Sequence, residues 1–230
     1  MLDQKLNREY RGILLNRTYM SIISLCLFII ISGRCGCKQP LNLTIAKERV
    51  EKYYECGQYD SDLDRIVSRA INHFKKVSTH KKATIIFDID DTVLSDYADA
   101  KSISFGYVPK LSHEWVLRAD APAIPQTKRL YDYLIKQGFI IIFLTGRKHN
   151  EYDATEKNLK SQGFIQFDKL IVRQKDEELL TATEFKTIHR KKLNQDGYRI
   201  VGCIGDQWSD LSGGYTGHTI KLPNVRYFIP

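Results

Sequence analysis

Hydrophobic side chains along this chain follow two rhythms, and the change between them falls near residue 80. Over 60–77, Leu63, Ile66, Val67, Ala70, Ile71 and Phe74 recur at three- and four-residue steps, which predicts a helix with one apolar stripe. A helix is also expected ahead of it, over 43–57. Beyond residue 80 the apolar residues gather into short, nearly unbroken runs: Ala83–Phe87, Phe139–Leu144, Leu170–Val172 and Ile200–Ile204. Unbroken runs rather than alternation suit strands covered on both faces. Between them lie helical patterns over Gln126–Gln137, Asn150–Gln162 and Glu184–Gln195. Each ends close to a glycine (Gly138, Gly163, Gly197), the residue that most readily follows a helix C-terminus. Strand and helix in alternation predict an α/β fold built on a doubly wound, mostly parallel sheet. The stretch 95–124 is too long for a simple connection and is expected to form a small helical cap or flap.

With 43% hydrophobic residues, the chain can bury the core of one domain, expected over 38–230. Ahead of it, Arg8, Arg11 and Arg17 precede an apolar run from Tyr19 to Ile31, and small residues and cysteines follow in SGRCGCKQP. A positive flank, a short apolar run and small residues are the parts of a secretory signal, so 1–37 is expected to be a signal or membrane-targeting segment. The run is shorter than the ~20 residues of a relaxed transmembrane span. It is read as cleaved; an uncleaved anchor is the rival, and Cys35 or Cys37 offers a site for a lipid. The protein is therefore expected outside the cytoplasm, touching a membrane only through this segment.

Charge adds little to that picture. Five basic and two acidic residues in 1–36 account for +3 of the net +8. The remainder is modest, and no Lys/Arg run with interleaved aromatics marks a nucleic-acid partner. No CxxC pair is present, which argues against a zinc ribbon or redox motif. Cys56 and Cys203 could pair in an oxidising compartment, or Cys203, inside the apolar RIVGCIG, could pack as a small hydrophobe.

Ligands of an open parallel sheet bind beyond the carboxyl ends of its strands. There this chain puts Phe87-Asp88-Ile89-Asp90-Asp91-Thr92, Leu144-Thr145-Gly146-Arg147 and Gly205-Asp206-Gln207-Trp208-Ser209-Asp210, with Phe185-Lys186-Thr187 opening the helix between the last two. Crowded carboxylates repel and hold their protons unless a cation sits among them, and a hard divalent ion such as Mg2+ suits oxygen ligands. An aspartate can attack phosphorus, a lysine and a metal can neutralise the transferring group, and a second acid can move the proton. Thr145, with the backbone amides beside it at Gly146, can hold phosphoryl oxygens. These parts suffice for phosphomonoester hydrolysis.

In order, FDIDDT, LTGR, FK and GDQWSD resemble the four motifs of the haloacid dehalogenase-like phosphatases. More narrowly, FDIDDTVLS, APAIPQTKRLYDYL, LTGR, GYRIVGCIGDQWSDL and KLPNVRYFI resemble the plant acid phosphatase and vegetative storage protein family, itself related to the bacterial class B and lipoprotein acid phosphatases. The resemblance runs from about residue 48 to the C-terminus. It implies a Rossmann-like haloacid dehalogenase fold and an acid phosphatase acting on small phosphomonoesters with Mg2+. Carried over, Asp88 is the nucleophile and a metal ligand, and Asp90 is the general acid/base with its carbonyl on the metal. Thr145 and Gly146 bind phosphate, and Lys186 steadies the nucleophile and phosphoryl charge. Asp206 is a metal ligand, and Asp210 holds metal-bound water or Lys186. Some storage members lack the nucleophilic aspartate, so a non-catalytic storage protein is one alternative and a phosphotransferase another.

Other residues are read more plainly. Arg147 either touches substrate or forms an ion pair, Arg190 is structural, and Trp208 packs beside the site. In the expected cap, Phe105, Tyr107 and Trp115 either pack or stack on an aromatic leaving group, and His113 could meet substrate.

Overall fold

The structure, a computed structural model, describes residues 40–229. The export segment expected over 1–37 lies outside them. Among the described residues no helix is long and apolar enough to cross a membrane. The chain runs through α1 (Leu43–Glu55), α2 (Gln58–Phe74), β1 (Ala83–Phe87), α3 (Tyr97–Ser102), α4 (Pro109–Arg118), α5 (Pro125–Lys136) and β2 (Ile140–Lys148). It continues through α6 (Tyr152–Ser161), β3 (Lys169–Arg173), α7 (Ala182–Gln195), β4 (Arg199–Gly205) and β5 (His218–Lys221). The five strands lie in the order β3-β2-β1-β4-β5, every neighbouring pair parallel.

The unbroken apolar runs do what a two-sided sheet requires. Ile85 and Phe87 face a core shared with Leu63, Val67 and Phe74 of α2, Leu130 and Leu134 of α5, and Leu159 of α6. Ile86, Ile142, Leu144 and Cys203 face the other side, against Phe185 and Leu193 of α7. Each such side chain contributes about 1.5–3 kcal/mol by leaving water, so both layers are firmly held. Gly138, at φ 84°, and Gly197, at φ 87°, end their helices in the left-handed region.

Two elements depart from expectation. Strand β2 continues past Leu144 through Thr145-Gly146-Arg147-Lys148, where the apolar pattern stops but pairing with Arg173 resumes. Strand β5 is a fifth, edge strand, HTIK, in which Ile220 alone is buried. Residues 95–124 hold the short helices α3 and α4, and their two ends are pinned together: Leu94 bridges Ala123, and Ser95 N donates to Pro122 O at 2.9 Å.

The chain moves outward from β1 to β2 and β3, then returns to β4 on the other side of β1. That reversal makes the carboxyl ends of β1 and β4 a topological switch point, the place where open α/β sheets bind ligands.

Candidate active site

Asp88 leaves β1 at the switch point, and its backbone N–H donates to Ile204 O at 3.0 Å, which locks the strand end against β4. Lys186 comes from near the start of α7, one turn past its N-cap Thr181. That start is set by a reciprocal cap: Glu184 N donates to Thr181 Oγ1 (3.2 Å) and Thr181 N donates to Glu184 Oε2 (2.8 Å), an arrangement worth about 1 kcal/mol. Lys186 Nζ then donates to Asp88 Oδ1 at 2.6 Å and also to Asp210 Oδ1. Asp210 is drawn tight under β4. Its Oδ2 accepts from Gln207 N at 2.9 Å, and a Cβ at position 205 would stand 2.1 Å from that oxygen, so only glycine fits there.

Asp88, Asp206 and Asp210 are all buried, and each offers a carboxylate oxygen within 4.8 Å of the others. Burial drives the Asp88 pKa well above its ordinary value; Lys186 opposes this, while Asp210, Asp206 and Asp90 add to it. Burial and then Asp210 raise that of Asp206. For Lys186, burial works against the ammonium, yet the Asp210 and Asp88 carboxylates outweigh it and hold the group above its usual range. Three carboxylates against one ammonium leave two negative charges without a partner when all are ionised. An all-oxygen donor set with that residual charge fits one hard divalent cation.

Asp90 points elsewhere. Its oxygens accept from Arg147 Nη2 (2.7 Å) and Nε (3.0 and 3.2 Å) and lie 3.3 Å from the Thr145 hydroxyl, which donates. Arg147 thus forms the ion pair, and its remaining arm donates to Thr155 Oγ1 at 3.1 Å. Burial would raise the Asp90 pKa, but the Arg147 guanidinium overrides it and holds the carboxylate below its ordinary value. Beside it, Asp96 is pushed up to about 8 by burial and the Asp90 charge, with Trp115 Nε1 donating to it at 3.0 Å. Thr145 is fully buried, its hydroxyl accepting from Arg147 N at 3.1 Å, whereas Gly146 is exposed with open space where a side chain would stand.

Several contacts at this site were not anticipated. Asp91 is buried and paired with Arg226, while the Tyr227 hydroxyl donates to it at 3.0 Å. Asp206 exchanges bonds with Thr92, whose hydroxyl accepts from Asp206 N (3.1 Å) and donates to Oδ1 (3.3 Å), and it meets Asn224 and Gln207 through Oδ2. The stretch KLPNVRYFI carried the only signal for Asn224, Arg226 and Tyr227, and only as part of a resemblance. Asp96 had none.

The plainer readings divide. Arg190 is fully buried and structural, donating to the carbonyls of Gly214 (3.0 Å), Asp210 (2.8 Å) and Ser212. Trp208 does not pack: it is 57% exposed, because the short turn Trp208–Asp210 directs Asp210 inward and the indole outward, where the Lys221 ammonium lies over it. His113 is held by Glu151 at 2.7 Å, Trp115 packs on the core, and Tyr107 is 78% exposed. Cys56 and Cys203 are free thiols; Cys203 is buried, and burial pushes its pKa up to about 12, as befits a packing residue.

Fold and site together define an α/β phosphohydrolase with an acidic strand-end centre. The chain belongs to the HAD superfamily, subfamily IIIB (acid phosphatase), which matches residues 41–230, and its enzymatic class is that of a phosphomonoesterase. It is 42% identical over 195 residues to a stem 28 kDa glycoprotein of Glycine max, covering 81% of this chain and 77% of that one. It is 35% identical over 186 residues to acid phosphatase 1 of Solanum lycopersicum (78% and 73%). Its fold matches that of the class C acid phosphatase from Bacillus anthracis, at a TM-score of 0.66 and 23% identity over 81% of this chain and 85% of the other.

Proposed function

We propose that this acid phosphatase is an exported, Mg2+-dependent enzyme that hydrolyses small phosphomonoesters through an aspartyl-phosphate on Asp88. The observation that supports the reading most is the convergence of a buried carboxylate, a lysine bonded to it and an acidic triad at one switch point. Asp88, Asp206 and the main chain at Asp90 would hold the ion, with Asp210 holding its water or Lys186. When bound, Mg2+ would offset the repulsion among the carboxylates and neutralise charge on the transferring group.

Asp88 attacks phosphorus, and the bond from phosphorus to the leaving alcohol oxygen breaks. Lys186 compensates the charge on the phosphoryl oxygens while remaining bonded to Asp88. Thr145 and the backbone of Gly146 hold those oxygens. Asp90 gives a proton to the departing oxygen, then takes one from the water that attacks the acyl phosphate, restoring Asp88. Export is supported by the positive flank and apolar run of 1–37, and it suits a relative described as a glycoprotein.

The test is an acid quench after brief mixing of purified protein with a radiolabelled aryl phosphate, with Mg2+ or with a chelator. The expected result is Mg2+-dependent phosphate release and a hydroxylamine-labile label on the protein, absent in Asp88→Asn. Turnover indifferent to chelation, or label retained in Asp88→Asn, would sink the mechanism.

A further inference from the structure

Beyond β5 the chain turns back across the carboxyl ends of the strands, beginning with Leu222 N donating to Gly205 O at 2.9 Å. Two side-chain amides then converge on one oxygen. Asn224 Nδ2 donates to Asp206 Oδ2 at 2.6 Å, and Gln207 Nε2 donates to the same atom at 2.8 Å. An amide can present either its oxygen or its NH2, and here the main chain decides. Asn224 Oδ1 accepts from Arg226 N (2.9 Å) and Tyr227 N (3.3 Å), and Gln207 Oε1 accepts from Ile229 N at 3.0 Å. With both oxygens occupied by backbone donors, both NH2 groups must face Asp206.

The same segment carries a cation, and it goes elsewhere. Arg226 pairs with Asp91, a buried acid that lies outside the triad. The Asp206 carboxylate is therefore hydrogen-bonded by neutral donors alone, which fix its orientation. Lys221 Nζ donates to the Asp206 carbonyl at 2.5 Å rather than to the carboxylate, and the arginine is spent on the neighbour.

We infer that the segment Leu222–Ile229 is a working part of the metal centre, in which Asn224 is a positioning residue that aims the Asp206 carboxylate at a divalent cation. The inference rests on the Mg2+ reading above. Groups that orient a metal ligand through hydrogen bonds typically change metal affinity about 10–100-fold when removed.

Calorimetric titration of the metal-free protein with Mg2+ tests this, with Asn224→Ala and Ile229→Pro beside the unmodified chain. Asn224→Ala should raise the Kd for Mg2+ about tenfold and raise in parallel the Mg2+ concentration for half-maximal turnover. Ile229→Pro removes the N–H that fixes Gln207 and should shift Kd in the same direction by a smaller factor. A residue that merely supports the fold would lower the melting temperature of the metal-free protein and leave Kd alone, and that result in either variant overturns the inference. If the unmodified chain binds no Mg2+, the metal reading itself fails and the inference falls with it.

Discussion

Asp88 and Asp90 leave the same strand end two residues apart, the first buried and the second half-buried, and the protein treats them in opposite ways. Asp88 sits among acids with a lysine, and burial together with its acidic neighbours outweighs that lysine and raises its pKa. Asp90 sits against an arginine fork that overrides burial and lowers it. A lysine is a single point charge shared here between two carboxylates, whereas the planar guanidinium engages Asp90 through two nitrogens at once. The side of the centre that is short of positive charge is the side whose carboxylates could hold a cation. On the saturated side Asp90 is held as a carboxylate, and Asp96 beside it is pushed up to about 8 by burial and the Asp90 charge.

Replacing Asp88 tests the first half of that comparison and carries the largest effect. Asp88→Asn keeps the shape and a hydrogen-bonding partner for Lys186 but removes the nucleophile, so steady-state turnover of any phosphomonoester should fall by at least about 10⁴-fold. Circular dichroism should be unchanged, since the amide keeps the shape of the carboxylate and the site lies beyond the carboxyl ends of the strands rather than inside either apolar layer. A residual rate within about 100-fold of the unmodified protein would mean that water, not Asp88, attacks phosphorus.

Asp90→Asn should cost less, and unevenly. General acid catalysis is worth about 10²–10⁴-fold, and most of that is needed when the leaving group is a poor one. The loss should be near the upper end for an alkyl phosphate and far smaller for an aryl phosphate with an acidic phenol. Measured kcat for the two substrate types decides it: equal losses would show that Asp90 only positions, and the division between the two aspartates would collapse.

Much of this arrangement is readable from residue order, and the reasons for the rest are physical. Strands β1, β2 and β4 announce themselves by apolar runs buried against both layers, and β3 by a shorter one in which Leu170 and Val172 are buried and Ile171 half-buried. Strand β5 has one buried residue in four, and its His218, Thr219 and Lys221 carry no strand pattern. The extension of β2 is hidden because Thr145-Gly146-Arg147-Lys148 is polar, its hydrogen bonds serving the site as well as the sheet. Asp88, Lys186, Asp206 and Asp210 could be found because strand and helix ends at a switch point have a defined location. The partners of Asp91 could not, since Arg226 lies 135 positions away and many other arginines were available. For Arg147, order alone leaves substrate contact and ion pair equally open; only the path of β2 beyond Leu144 brings the guanidinium onto Asp90.

Arg147→Gln gives the smallest effect and the sharpest test of the comparison, because it should move one aspartate toward the condition of the other. Arg147 holds the Asp90 carboxylate below its ordinary pKa against the opposing pull of burial. Without the guanidinium the burial contribution remains, so the Asp90 pKa must rise. As an acid Asp90 would then keep its proton to higher pH, moving the alkaline limb of kcat upward. As the base for the second step it would lose its charged form at low pH, moving the acid limb upward as well. The whole pH–rate profile should therefore move to the alkaline side. For every pH unit that the acid limb moves, activity at a fixed pH on that limb should fall about tenfold. A profile that only falls in height, with both limbs in place, would show that Arg147 orients groups without setting the charge on Asp90. The contrast between the two carboxylates would then have to come from the other neighbours of Asp90, Asp96 and Lys186.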